Sequence, residues 1–376
     1  MIESYLDNSA TTRVSPAAAE AVMKVMTENY GNPSSLHSKG YEAQTALENA
    51  REAIAGRLGA AKSEIYFTSG GTESNNLAIT GAAEASRRLG NKIVTTEIEH
   101  PSVYDAVKHL ESCGFETVFL KPDTYGRISQ EQLEECIDEN TILVSIMMVN
   151  NELGSVLPVG EVSRIIKRKK APALLHCDAV QAFGKLPVNV KRLGVDLLTV
   201  SSHKIHGPKG AGALFIKKGV RIVPRTYGGL QESSIRCGTE GLPAIAGFGA
   251  AAGEMEFDGT AASLNMYLRQ RLATLDGVHI NSGEDATEYI LNISVPGIRS
   301  ETMLHYLASR GVYVSSGSAC SKGKKSRVLG ACGIDESLID SALRISFSKY
   351  NTKDDIDRLL DGISGAMDSL VRRKHR

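Results

Sequence analysis

Between residues 65 and 216 the chain alternates short apolar runs with longer stretches of helical pattern, and this rhythm restricts the fold more than any other feature. The runs fall at 65–68, 93–96, 117–120, 143–149, 173–177, 195–200 and 212–216. Helices are predicted between them, one running from the glycines at 70 and 71 to about 89, and others at 101–112, 130–137 and 159–169. Continuous rather than alternating apolar runs mark strands buried on both faces. Strands joined by crossover helices lie parallel and are covered on both sides. The prediction is an α/β fold with a mostly parallel sheet of the seven-stranded type. Such open sheets bind ligands just beyond the carboxyl ends of their strands, so the residues that follow each run carry the functional information.

Two helices precede the alternation. Ser15 caps the first and Pro16 opens it, and the second is expected over 37–58. After about residue 255 the rhythm breaks into helices near 261–274, 300–309 and 352–371 and strands near 279–280, 290–295 and 343–346. That pattern predicts a smaller α+β domain. The expected division is a large domain over 15–256, and a small one built from 1–14 and 257–376 that carries a Ser/Gly-rich loop at about 315–328. The basic stretch at 372–376 reads as a frayed, solvated end.

Composition removes several classes. Lys and Arg number 43 and Asp and Glu also 43, so neither nucleic acid nor a membrane surface is the expected ligand. No apolar stretch reaches the length of a membrane span, and the first residues lack the parts of a signal peptide. The six cysteines, at 113, 136, 177, 237, 320 and 332, contain no CxxC pair, which argues against zinc and against a disulfide framework. A cytoplasmic, reduced protein is the expectation.

The strand ends hold the candidate chemistry. Lys204 follows the run at 195–200 in Ser201-Ser202-His203-Lys204, where a lysine bonded to an aldehyde would escape the cost of a buried amine. Gly70-Gly71-Thr72 opens a helix and suits a phosphate, because glycines let the backbone approach and the helix dipole favours an anion. His100 and Asp178 end two further strands, with Gln181 three residues beyond the acid. A carboxylate opposite a pyridine nitrogen keeps that nitrogen protonated and makes the ring an electron sink. Taken singly these residues read as a turn, a structural histidine, a helix cap and a surface lysine. Together they specify pyridoxal 5'-phosphate. GFGAAAG at 247–253 has the wrong spacing for a dinucleotide fingerprint and reads as helix packing.

The segments LDNSATT, TSGGTESNN, EHPSV, VNNELGSVLP, CDAVQAFGKLP, SSHKIHGPKGAGALF, IRCGTEGLPAIAG and SSGSACSKG run in order along the whole chain. In them the sequence resembles cysteine desulfurases of the NifS/IscS type, in the class V aminotransferase superfamily. The resemblance implies a homodimeric, PLP-dependent fold type I enzyme. It implies that Lys204 bonds the cofactor, His100 stacks on its ring, Asp178 pairs with the pyridine nitrogen and Gln181 bonds the phenolic oxygen. Asn151, rather than Asn150, matches the cofactor-site asparagine. Gly71, Thr72, Ser201 and His203 take the phosphate, with Thr239 supplied by the other subunit. Arg344 matches the clamp for the substrate carboxylate, a bidentate task suited to guanidinium.

Cys320 selects the reaction. It lies in a Gly/Ser-rich stretch read as a mobile loop, with Lys322, Lys324 and Lys325 nearby to lower its thiol pKa. The other cysteines read mostly as small hydrophobes, and Cys237, beside Thr239, carries no assigned role. The implied reaction takes L-cysteine, uses the freed Lys204 to remove the α-proton, moves the sulfur onto Cys320 as a persulfide and releases L-alanine. The acceptor would be an iron–sulfur scaffold or a tRNA-thiolation enzyme: the loop after Cys320 is shorter than in housekeeping iron–sulfur enzymes, and its basic character would favour an acidic scaffold or a dedicated tRNA-thiolation partner. Met148 stands where some relatives have His. Two other readings exist: a selenocysteine lyase or aminotransferase of the same superfamily, and a non-catalytic scaffold. An aminotransferase has no use for a loop thiol, and the complete set of Lys204, Asp178, His100, Cys320 and Arg344 argues against a scaffold.

Overall fold

The computed structural model describes residues 3–316 and 325–370. Cys320, Lys322 and Lys324, and the basic stretch 372–376, lie outside the described residues. The strands are β1 (Ser4–Tyr5), β2 (Ile65–Thr68), β3 (Lys92–Thr96), β4 (Glu116–Leu120), β5 (Thr141–Met147), β6 (Leu174–Asp178), β7 (Leu197–Ser201), β8 (Gly212–Ile216), β9 (His279–Ile280), β10 (Ile290–Ser294), β11 (Val312–Tyr313) and β12 (Ala342–Ser346). Seven of them form one sheet in the order β2-β8-β7-β6-β5-β3-β4. All its neighbours are parallel except β8, which runs antiparallel to both β2 and β7. Two reversals cancel, so β2 again points the same way as β7, and its carboxyl end joins the others on one edge.

Adjacent side chains in these strands enter opposite cores. Ile93, Leu143, Leu197 and Leu214 bury with the helices Gly71–Ser86 and Pro101–Ser112. Their neighbours Val94, Val144, Leu198, Ala213 and Phe215 bury on the other face, with the helices Ser38–Leu58, Val159–Lys169 and Leu242–Gly253. Each such aliphatic side chain contributes about 1.5–3 kcal/mol, which is why strands read as continuous apolar runs sit in the middle of this sheet. GFGAAAG lies in the helix Leu242–Gly253, as expected of a packing motif. A Cβ on Gly249 would stand 2.6 Å from the Cα of Ala50, so the approach of the two helices requires glycine there.

A second core gathers Leu6, Leu264, Leu268, Leu291, Ile293, Leu343, Ile345, Phe347, Ile356 and Leu359. It is built on an antiparallel sheet of order β12-β10-β9. Val328, Leu329 and Ile339 instead join the first core. The short helices Arg327–Ala331 and Glu336–Asp340 and the two-residue β11 are elements the sequence reading lacked.

Cysteine burial needs one correction. Cys177, Cys237 and Cys332 are buried, but Cys113 is exposed. It caps the carboxyl end of the helix Pro101–Ser112, where a side chain points past the last turn into solvent.

Candidate active site

The carboxyl edge of the large sheet encloses a cavity of about 230 Å³ lined by Gly71, Thr72, His100, Asn151, Asp178, Gln181, Ser201, His203 and Lys204. Nine of the sequence-predicted residues therefore meet in one place. Asn75, Ser102 and the backbone of Ala10 also line it and were not foreseen.

Lys204 lies in the helical turn Ser202–Lys204 that follows β7. Its Nζ donates to the carbonyls of Ser9, at 2.6 Å, and Ala10, at 2.8 Å. The amino-terminal segment reaches that far because Thr12 N–H donates to the carbonyl of His203 at 3.0 Å and Ser15 N–H to that of His206 at 2.8 Å. Asp178 closes β6. Its Oδ2 accepts from Asn75 Nδ2 at 2.7 Å and its Oδ1 from Val180 N–H at 2.9 Å. Asn75 also donates to Ser102 Oγ at 2.9 Å, and that oxygen lies 2.7 Å from His100 Nδ1. One asparagine thus ties the acid to the histidine. Nothing local flags it, since Asn75 reads simply as a residue in the first turns of a helix.

His100 caps the helix Pro101–Ser112 by accepting Ser102 N–H on Nδ1 at 3.1 Å. Accepting there places the ring hydrogen on Nε2. Burial lowers its pKa, so the imidazole is neutral. Burial likewise takes His203 down to about 4.

The choice between Asn150 and Asn151 has a physical basis. Asn150 is consumed by structure: Oδ1 accepts two backbone N–H groups and Nδ2 donates to Ile98. Asn151 Oδ1 is buried, with no hydrogen-bond partner among the described residues, and so is Ser201 Oγ. Buried polar atoms of this kind are costly unless a ligand meets them. Beside Ser201 the helix Gly71–Ser86 presents its amino terminus, and a Cβ on Gly71 would stand 2.9 Å from Val180 Cγ2. An anion-binding turn, an amine, an acid and orphaned polar atoms fit pyridoxal phosphate in donor chemistry.

Two predicted residues, Arg344 and Thr239, stand apart from the cavity wall. Arg344, on β12, is buried; its two terminal nitrogens bond Asn151 O at 2.9 Å and Asp7 Oδ1 at 2.8 Å. Its Nε is buried without a partner among the described residues. Thr239 lines a separate cleft with Ser69, Glu232 and Arg236. Cys320 lies outside the described residues; before the undescribed segment, Ser315 pairs through its backbone with Arg344 on β12. After that segment, Ser326 Oγ donates to Glu152 Oε2 at 2.5 Å, and Arg327 donates to the carbonyls of Glu97 and Glu99.

Glu99 is fully buried, and burial raises its carboxyl from 4.5 to about 8. The folded state therefore holds a proton that the unfolded state releases above its ordinary value. Stability from this group is complete below about 4.5 and is lost as pH rises toward 8. Melting temperature should fall across that window more steeply in the wild type than in Glu99→Gln. Parallel curves would overturn this.

The aminotransferase class-V family profile matches residues 4–359. The cysteine desulfurase IscS of Methanosarcina thermophila is 42% identical over 375 residues, covering 97% of this chain and 92% of that protein. A cysteine desulfurase of Nostoc sp. is 42% identical over 380 residues, covering 98% and 93%. Among solved structures, a NifS-like protein superposes with a TM-score of 0.92 at 40% identity, covering 98% of this chain and all 100% of that one. The structure of SspA in complex with cysteine matches with a TM-score of 0.83 at 34% identity, covering 93% and 100%. With these matches running the length of the chain, and the Lys204 pocket at the sheet edge, the protein belongs to the class V aminotransferase family, in its PLP-dependent NifS/IscS cysteine desulfurase branch.

Proposed function

We propose that the chain is a cysteine desulfurase, removing sulfur from L-cysteine to give L-alanine and a persulfide on Cys320. The observation that carries this reading is the convergence of Lys204, Asp178, His100 and Asn151 on one cavity, with Arg344 bonded to the back of Asn151.

Gly71, Thr72, Ser201 and His203 would hold the cofactor phosphate, Asp178 its ring nitrogen and Gln181 its phenolic oxygen, while Lys204 bonds its aldehyde. When bound, pyridoxal phosphate delocalises the electron pair left at the substrate α-carbon. The remaining work falls to the protein. Arg344 has five N–H donors, of which two are engaged by Asp7 and Asn151, and offers others to the substrate carboxylate. Lys204, once its amine is free, would take the α-proton. His100, neutral and protonated on Nε2, offers a donor without adding charge. The Cys320 thiolate attacks the substrate sulfur. The sulfur–carbon bond breaks, its electron pair stays on the β-carbon, and alanine forms when that carbon gains a proton and Lys204 returns one to the α-carbon. One sulfur has moved from substrate to Cys320 with no external oxidant.

The same reading includes several assignments about assembly and context. The chain divides into a domain over 15–256 and one from 1–14 and 257–376. It works as a homodimer, with Thr239 completing the partner's phosphate site; its position away from the cavity of its own chain supports this. It resides in the cytoplasm, where its cysteines stay reduced; among the described residues no helix is long and apolar enough to cross a membrane. The persulfide passes to an iron–sulfur scaffold or a tRNA-thiolation enzyme.

Cys320→Ala should bind cofactor normally and lose sulfide release from L-cysteine by at least about 100-fold. Mass spectrometry of the wild type after brief exposure to cysteine should find one added sulfur on residue 320. Full activity in the variant, or no added sulfur, would sink the assignment and favour another reaction of the superfamily.

A further inference from the structure

We propose that Lys185 is a positioning residue for the cofactor site: its Nζ holds the side-chain oxygen of Gln181 and so turns the Gln181 NH2 group toward the cofactor's phenolic oxygen. The inference rests on the pyridoxal phosphate reading above and assigns a role to a residue outside the cavity wall.

Lys185 Nζ donates to Gln181 Oε1 at 2.8 Å, and Gln181 Nε2 donates to Ser9 O at 2.9 Å. A carboxamide can be turned over with little change in shape, and its orientation is decided by its partners. The lysine ammonium only donates, so in that form it admits the oxygen of Gln181 and rejects the NH2 group. The carbonyl of Ser9 enforces the same orientation from the other side, and it also accepts from Lys204 Nζ at 2.6 Å. The Gln181 donor is thereby set beside the amine that bonds the cofactor.

Nothing in the packing calls for an amine at position 185. Lys185 is buried and forms no ion pair among the described residues. Burying an amine against one neutral acceptor costs free energy that an aliphatic chain of the same length would avoid. The charged groups that act on it are Lys204, from the turn after β7, and Arg344, from β12. His203 and His206 also feel it, and burial keeps the pKa of both low. Burial, then repulsion by Lys204 and Arg344, brings Lys185 down to about 7. Ammonium and amine both donate to Gln181 Oε1, and in the neutral form the Ser9 carbonyl, which can only accept, keeps the orientation.

The test is an absorbance titration of the holoenzyme, following the proton on the Lys204–cofactor linkage. A donor to the phenolic oxygen favours the deprotonated linkage. Lys185→Met should therefore raise the midpoint by about one pH unit, and kcat should fall about tenfold. Gln181→Leu should shift the midpoint by the same amount. The double variant should shift no further than Gln181→Leu alone. An unmoved midpoint in Lys185→Met, or shifts that add in the double variant, would overturn the proposal; addition would mean that Lys185 acts by charge rather than through Gln181. If Lys185→Met does not fold, Lys185→Leu carries the same comparison. A wild type that shows no cofactor absorbance removes the underlying reading too, whereas a normal wild type beside an unmoved variant removes this inference alone.

Discussion

Lys204→Ala protein should form alanine and sulfide from L-cysteine at least about 10⁴-fold more slowly than the wild type. Two functions are lost together, the covalent hold on the cofactor and the base that moves the α-proton. The fold should survive, because the Lys204 bonds described here are to the carbonyls of Ser9 and Ala10, and the Thr12–His203 and Ser15–His206 backbone bonds remain. Added small primary amines should restore part of the rate, since they replace the base but not its placement. Borohydride reduction of the wild type should fix the cofactor to residue 204, as read by peptide mass. A cofactor adduct on another lysine, or an active Lys204→Ala protein, would refute the site.

The largest expected effect on stability comes from Arg51→Met. Arg51 Nη1 and Nη2 donate to Glu232 Oε2 and Oε1 at 2.8 and 2.7 Å, and Nη1 also reaches Ile65 O at 2.7 Å. Its guanidinium lies 4.8 Å from the centre of the Phe67 ring. Glu232 is almost wholly buried and also accepts Phe67 N–H at 2.7 Å. Removing the arginine strands a buried carboxylate, which costs about 3–5 kcal/mol. For a chain of this size that lowers the melting temperature by roughly 4–6 °C. Pairing Arg51→Met with Glu232→Leu should recover much of the loss, because the stranded charge goes with it. If the double variant is less stable than Arg51→Met alone, the pair is not the reason for the loss.

How far the sequence speaks depends on the range of the interaction. The strands were legible because residues such as Ile93 and Val94 bury on opposite faces, and burial on both sides leaves an unbroken apolar run. Boundaries moved by a residue or two where polar ends joined the ladder: β5 begins at Thr141 and stops at Met147, and β6 includes Asp178. The reversal of β8 was not legible, since an apolar run has no direction. Nor were the short helices Arg327–Ala331 and Glu336–Asp340, which are too brief for a helical period to declare itself. At the site, residues in recognisable motifs at strand ends were found. Asn75, Lys185 and Glu232 were not, because each acquires meaning from a partner distant in the chain or from burial that no local pattern reports.

The amino-terminal segment has a consequence for how the protein is made. Asp7 bonds Arg344, Asn8 donates to the carbonyl of Ser346 at 2.9 Å and to Asn351 at 3.1 Å, and Leu6 lies in the second core. These residues meet partners that lie 337 to 343 positions later in the chain, so the contacts form only after that distant segment has been made. Contacts of such long sequence separation close late. The Ser9 and Ala10 carbonyls that seat Lys204 belong to this same late-closing thread, so a nascent or truncated chain can acquire its large sheet well before it can acquire a competent catalytic lysine.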